Sequence, residues 1–504
     1  MADRPAHVAP LSRADAERLL PRYSSGRLSL EDRVMRARCL RTMEAWDVAW
    51  NELLAVKDKV TDPLLRARVE QDLLHLAYYV GADIDTLALY RSALRHAGGD
   101  ALLVAEVETA WSVHRLANAN DATGAQRAAQ AALDALRAAP PDRDRDLVAV
   151  RVQRQLAHVL AQAGEYGPAR EAAEVALATS RKLRDDWEIA WSTYATGFTA
   201  WCAGAIEDAD DALQRAEELV RPFGTNLWRW TVFCLALTKL EQGNIEEGDR
   251  LARQSGHGDV WQRSYVELAS HDVDVALQLV GTASPKERPF SDAMRSIVLA
   301  RKGELRTALR ILEEARTAFA AAGLHHYAMG CAAHAAHIRE SLAYGGGRER
   351  AVRVVRELAD RGALGFAFFL PDVAEWLGKI AAADARSAAL AKVLRVRGET
   401  ARRRARSSSP TPESEVDGAT AHLRMAGLTW RELDIVRRLS LFNKEGEDLD
   451  REELANRLGM SPNTLRVHLT RIRAKLDVGD KRGDGAILEA VRRLPSQELG
   501  ELRV

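Results

Sequence analysis

Cysteine is scarce: Cys39, Cys202, Cys234 and Cys331 are the four in 504 residues, far apart and never in CxxC spacing. That excludes a zinc ribbon or a disulfide framework and predicts core thiols in a reducing compartment. Net charge is missing too, because 72 Lys and Arg balance 72 Asp and Glu. A polyanion must therefore be met by a local cluster, not by bulk attraction. No window approaches 18 uncharged apolar residues, and the N-terminal MADRPAHVAPLSRADAERLL holds no continuous apolar segment. Neither membrane spanning nor secretion is expected, and the expected location is cytoplasmic. Period-2 strand runs are rare, which removes a receiver-type α/β domain. The chain also lacks G-x-x-x-x-G-K-S/T: its nearest approach, Gly378-Lys379-Ile380, has no hydroxyl for magnesium. With no HExxH, GxSxG or paired-carboxylate constellation, no enzyme activity, metal or cofactor is expected.

What is present is helix after helix. From about residue 12 to 397 apolar residues recur at i, i+3, i+4 and i+7 and Ala is abundant, which predicts an all-α region. Within it a phrase returns: GEYGPAREAAEVAL from Gly164, GAIEDADDALQRAEEL from Gly204, GNIEEGDRLARQS from Gly243 and GELRTALRILEEARTAF from Gly303. Looser copies begin near Met43, Gly81, Asn120 and Gly347, and neighbours from 43 to 243 lie 38 to 44 residues apart. That spacing fits one helical hairpin per unit. Between 243 and 303 the gap is 60, with ASHDVDVALQLV as a shortened unit. The turn Gly or Asn can take positive φ, and a small residue about five positions later (Ala169, Ala209, Gly248, Ala308) lets helices approach. A single hairpin cannot bury its own apolar face, so the units should stack into a solenoid.

The phrase resembles the tetratricopeptide-like repeat in the longer form of bacterial regulators, over residues 15 to 395. A plain helical bundle is the alternative. The resemblance implies a concave face that binds a protein, peptide or small-molecule effector. Trp187, Trp191 and Tyr194, close to i, i+4, i+7 on one helix, with Trp228 and Trp230 on the next, are candidate anchors for it. Aromatics at helical spacing are more often core than binding site, so packing is the other reading. Residues 398–427 then break the pattern with Arg402, Arg403, Arg404 and Arg406, a run of three serines, two prolines and acids, the composition of a linker. Domains are thus expected at 1–397 (helical repeats), 398–427 (linker) and 428–504.

The last unit carries helix-start signals: capping boxes at Thr429 with Glu432 and at Asp450 with Glu453, and Ser461 before Pro462. The second helix, DREELANRL, ends at Gly459, leaving only Gly-Met before the Ser461 cap, which is the spacing of a helix-turn-helix. In SPNTLRVHLTRIRAKL, Leu465, Leu469, Ile472 and Leu476 form an inward stripe, while Arg466, Thr470 and Arg473 point elsewhere. Ser461, Thr464, Leu465, Arg466, His468, Ile472, Lys475 and Leu476 resemble the LuxR-type pattern S-x-x-T-V-K-x-H-x-x-x-I-x-x-K-L, and LTWRELDIVRRL is similar to that family's opening helix.

The LuxR-type resemblance implies a small helix-turn-helix domain on double-stranded DNA, with RNA polymerase as a further partner. Arg466, Val467 and Thr470 fall at the base-facing positions: Arg466 can fork onto guanine and Val467 can pack on a thymine methyl. Asn463, Thr464, His468, Arg471, Lys475 and Arg482 fall at phosphate positions. For His468 a buried packing role is the other reading, and for Thr464 a backbone-capping one. Two departures stand out: SLFNKEGEDL lengthens the first connection, with acids around Asp450 and Glu452, and GDKRGDG lengthens the last. Ile487, Leu488, Val491 and Leu494 could form a homodimer seam or pack on the domain's own core. The whole chain then reads as a DNA-binding transcriptional regulator, or alternatively as an adaptor whose last helices bind no DNA.

Overall fold

The computed structural model describes residues 8–24, 28–269, 273–284, 287–365, 371–384, 387–388, 390–395 and 398–399, and in the C-terminal unit 428, 435–436, 439, 452, 454–455, 462–476, 478 and 487. Among the described residues there is no strand. The linker arginines, both capping boxes, the two lengthened connections and Arg482 lie outside the described residues.

After α1 (Arg13–Leu19) the chain runs as hairpins. They are α2 (Leu30–Thr42) with α3 (Trp46–Lys57), α4 (Pro63–Tyr79) with α5 (Thr86–Ala97), and α6 (Ala101–Ala117) with α7 (Ala122–Ala138). Next come α8 (Arg143–Gln162) with α9 (Tyr166–Leu183), α10 (Asp186–Cys202) with α11 (Ile206–Val220), and α12 (Asn226–Glu241) with α13 (Ile245–Ser255). Then α14 (Val260–Ala269) pairs with α15 (Val273–Val280), α16 (Arg288–Arg301) with α17 (Leu305–Ala321), and α18 (His325–Ser341) with α19 (Gly347–Asp360), before α20 (Pro371–Ala381). The short α14–α15 pair fills the 60-residue gap as expected. First helices stack on first helices (α4 on α6, α6 on α8, α8 on α10), and each second helix wedges against the next first one. This is a tetratricopeptide-like solenoid rather than a bundle. Helical residues 398–399 carry the array slightly past its expected end.

Local chemistry explains the hairpins. First helices α4, α6, α8 and α10 start on Asp62, Asp100, Asp142 and Asp185, each accepting a backbone N–H three residues on. The turns are entered through positive φ at Gly81, Asn120, Gly164, Gly204, Gly243 and Gly303, as the repeat phrase requires. At the outermost copies the residue differs: Glu44 and Ala343 take the left-handed conformation there. Six-to-one bonds such as Glu165 N–H to Leu160 O (2.8 Å) and Asn244 N–H to Lys239 O (2.9 Å) close each turn.

The small residues five positions after the turn glycines (Ala169, Ala209, Gly248, Ala308) are buried. At Gly248 an added Cβ would stand 2.6 Å from Leu240 and 3.0 Å from the Ala236 carbonyl oxygen. Gly248→Val should therefore destabilise by about 1–3 kcal/mol through overpacking. A thermal melt with an unchanged midpoint would show that α12 and α13 can part freely.

The array also closes on itself. Ala122 N–H donates to Ala322 O (2.9 Å), Leu364 and Gly365 N–H both reach Ala203 O (3.0 Å each), and Asn226 N–H reaches the Glu44 carboxylate (2.6 Å). Side chains add to this seam: the Tyr166 hydroxyl meets His326 Nδ1 at 3.0 Å, and Leu116, Ala125 and Val159 share a core with Leu312, Phe319 and Ala335. Units far apart in the chain are thereby brought into contact across the array.

The C-terminal unit has its own core. Its best-described helix, α21 (Pro462–Lys475), starts on the proline, and Leu465, Leu469 and Ile472 are buried with Leu428, Ile435, Leu439, Leu454 and Ile487. Ile487 thus packs inward, and Leu488, Val491 and Leu494 lie outside the described residues.

Candidate functional site

The concave side holds a half-open cavity of about 450 Å³, within the range that holds small-molecule or short-peptide ligands. One wall is aromatic. Trp46 stacks on Tyr79 with centroids 4.0 Å apart, Trp230 stacks on Tyr79 at 6.0 Å, and Trp191 meets Trp230 at 5.5 Å. These four rings come from the first, second, fifth and sixth hairpins, and closure of the array is what brings them together. Trp187 and Tyr194 line the same space. Trp228 does not: its helix turns it outward, where its indole N–H donates to Glu217 at 2.9 Å. Four of the five expected aromatic positions therefore line the cavity, and Trp228 is corrected to a packing residue.

The opposite wall is charged. Arg38 and Arg41 of α2 pair with Asp72 of α4 at 3.3 and 2.9 Å. Arg68 of α4 reaches Glu106 of α6 at 2.6 Å. Arg151 and Arg154 of α8 hold Glu188 of α10 at 2.9 and 2.6 Å, and Arg151 lies 3.9 Å from Glu106. The ladder thus climbs the first helices one unit at a time. Burial opposes ionisation of Glu106 and Glu188, but the neighbouring arginines outweigh it and hold both carboxyls below the usual range. Burial lowers Arg38 to about 10, with Arg68 contributing to the same direction.

Histidines on this interior are neutral. Burial takes His75 to about 3, with Arg41, Arg151 and Arg154 adding repulsion. Burial and Arg154 take His158 to about 3, and its Nε2 is buried without a hydrogen-bond partner among the described residues. Burial alone takes His326 to about 3. No described cysteine is activated, since burial raises the thiols of Cys39, Cys202, Cys234 and Cys331. Among the described residues no group of three or more His, Cys, Asp or Glu could hold a metal ion, and no helix is long and apolar enough to cross a membrane.

The second surface of interest is α21. Its inward stripe is buried as expected, while Arg466, Val467, Thr470, Arg471 and Lys475 are exposed and Arg473 and His468 are half-buried. Val467 keeps 45% of its surface in solvent. Thr470 Oγ1 donates to the Arg466 carbonyl at 3.0 Å, which leaves its side chain against the helix surface. His468 Nδ1 is buried with no hydrogen-bond partner among the described residues, so the ring divides between core and surface. The side chains of Asn463 and Thr464 lie outside the described residues.

No family model matches the chain, and no curated protein matches its sequence. Among solved structures, a Rap protein complexed with competence and sporulation factor is similar over 69% of this chain and 93% of its own, at 15% identity and a TM-score of 0.39. The apo form of RapI is similar over 79% and 99% (10% identity, TM-score 0.31), and the APC/C hetero-tetramer Cut9–Hcn1 over 79% and 87% (11%, 0.32). Likeness at this level extends to a chain of helices and no further.

Proposed function

We propose that the protein is a sequence-specific transcriptional regulator that reads double-stranded DNA through α21 and binds an effector inside its closed helical array. The observation that carries the reading is α21 itself: a helix without an acidic residue, anchored by Leu465, Leu469 and Ile472, that presents Arg466, Val467 and Thr470 outward on one stretch. That is what a helix in the major groove needs, with apolar anchoring on one side and a base-reading guanidinium and methyls on the other. Arg471 and Lys475 are exposed where phosphates would pass. One reading helix per chain suits a homodimer on a pseudo-palindromic site, with RNA polymerase as a further partner.

Arg466→Ala is expected to weaken binding to the preferred site by roughly 10- to 100-fold and to relax base choice at one position. Lys475→Ala should instead lower affinity evenly across sequences and reduce the salt slope by about 1. Genome-wide mapping of bound DNA for wild type and Arg466→Ala reads the first effect directly. Specific sites that persist unchanged in the variant, or no specific sites in wild type, would return the chain to the adaptor class.

A further inference from the structure

Charges around the cavity are answered within its own wall. The lining holds three arginines, Arg41, Arg151 and Arg154, and four carboxylates, Glu44, Glu106, Glu188 and Asp259. Asp72 holds Arg41 at 2.9 Å, Glu188 holds Arg151 and Arg154 at 2.9 and 2.6 Å, and Arg68 holds Glu106 at 2.6 Å. Arg154 also lies 5.0 Å over the Trp191 ring, so a cation of the protein already uses that face. Glu44 accepts the Asn226 N–H at the start of α12 (2.6 Å), and Asp259 immediately precedes α14, next to the positive end of that helix. The lining histidines His75, His158 and His257 are neutral, because burial lowers each of them. What the cavity leaves open is ring surface. Trp46, Tyr79, Trp191 and Trp230 line it and are half-buried. Trp46, Tyr79 and Trp230 lie within 27° of parallel to one another, and Trp191 stands crosswise to Trp230 at 64°. Uncharged polar groups accompany them, among these the carboxamides of Gln162 and Gln262.

We propose that the cavity takes an uncharged, flat, fused-ring compound, laid against Trp46, Tyr79, Trp191 and Trp230, with a carbonyl or amide group that meets a lining carboxamide such as Gln162. This rests on the effector-binding reading of the array and names the ligand's chemical class. An anion would compete with Asp72 and Glu188 for arginines that they already hold, and would stand among Glu44, Glu106 and Asp259. A cation would meet Arg41, Arg151 and Arg154, one of which covers a ring that it would use. Either ion gives up hydration for no free counter-charge, which is costly in a site partly shut off from water. A neutral ring system gives up little, removes apolar area from water and gains stacked or edge-to-face contact with the wall. Flatness follows from the wall itself. Three rings of nearly common orientation are extended by a further planar ring, whereas a saturated ring touches them at few points.

The test uses the full chain, isothermal calorimetry and tryptophan fluorescence, with probes that share a ring and differ in charge. One series is naphthamide, naphthoate and naphthylmethylamine. A second carries the same three groups on anthraquinone, and decalin carboxamide is the saturated control. At least one flat carboxamide should bind saturably, roughly ten-fold tighter or more than the acid and the amine on its ring and than decalin carboxamide. Trp230→Leu should weaken that binding roughly ten-fold, whereas Trp228→Leu, on the outward side of the same helix, should leave it unchanged. The comparison among probes on the unmodified chain stands even if a variant fails to fold. An acid or amine that binds as well as its amide overturns the neutral selection and leaves effector binding in place. A saturated ring that binds as well as a flat one overturns the stacking. No saturable binding in either series overturns the ring site and the effector role together, while mapping of bound DNA tests the DNA-reading half on its own.

Discussion

Acidification from about pH 7.5 to 5.5 is expected to withdraw on the order of 5 kcal/mol of folding stability, through four histidines and no carboxylate. His75, His158 and His326 each fall to about 3 in the folded chain, against about 6.5 when unfolded. Between those values the unfolded state is protonated and the folded state is not, so stability is fully present above about 6.5 and is lost as pH falls toward 3. Each histidine then contributes about 1.4 kcal/mol per pH unit. His257, lowered to about 4 by burial and by Arg229 and Arg263, acts the same way. Glu106 and Glu188, held low in the fold, lose their stabilisation only below about pH 4.3, outside this window. Glu44, Glu108 and Asp185 are raised by burial and oppose the trend. Urea midpoints at the two pH values read the effect, and His158→Gln should remove about a quarter of the difference. A midpoint indifferent to this interval would mean that the four rings are solvated.

Removing the Glu188 carboxylate is the second large effect. Glu188→Ala leaves Arg154 without its carboxylate and Arg151 with only Glu106 at 3.9 Å, and breaking a buried pair from one side costs about 3–5 kcal/mol. The cost comes from two stranded guanidinium groups more than from a lost attraction. Glu188→Leu combined with Arg154→Met removes one of the two and should therefore recover part of the loss, since apolar replacement of a buried pair is often neutral while Arg151 keeps only Glu106. Denaturant unfolding of single and double variants separates the contributions. A single variant within about 1 kcal/mol of wild type would place Glu188 in contact with bulk water instead.

The sequence carried the hairpins plainly, because a turn needing positive φ and a small residue five places on are local demands. Gly164, Gly204, Gly243 and Gly303 mark turns, and Ala169, Ala209 and Ala308 are buried. The closure was not legible, since it depends on how small rotations between units accumulate, which no single residue encodes. For the same reason Trp46 and Tyr79 went unnoticed as neighbours of Trp191 and Trp230. The charged ladder left a usable trace: Arg68, Glu106, Arg151 and Glu188 recur once per unit on first helices, about where a core residue belongs. Charges at core positions in a unit-long period mark an inner wall. Trp228 misled because the pattern Trp-Arg-Trp puts two rings two residues apart on a helix, where they cannot share a face.

An open repeat protein grows or shrinks by whole hairpins, because each unit touches only its neighbours. Here Ala122 is bonded to Ala322 and Ala203 to Leu364. Duplicating one hairpin between them would slide every partner across that junction by a full repeat and leave each amide opposite the wrong carbonyl. The number of hairpins is thus locked by geometry, and length variants of this array would have to lose the chamber to exist.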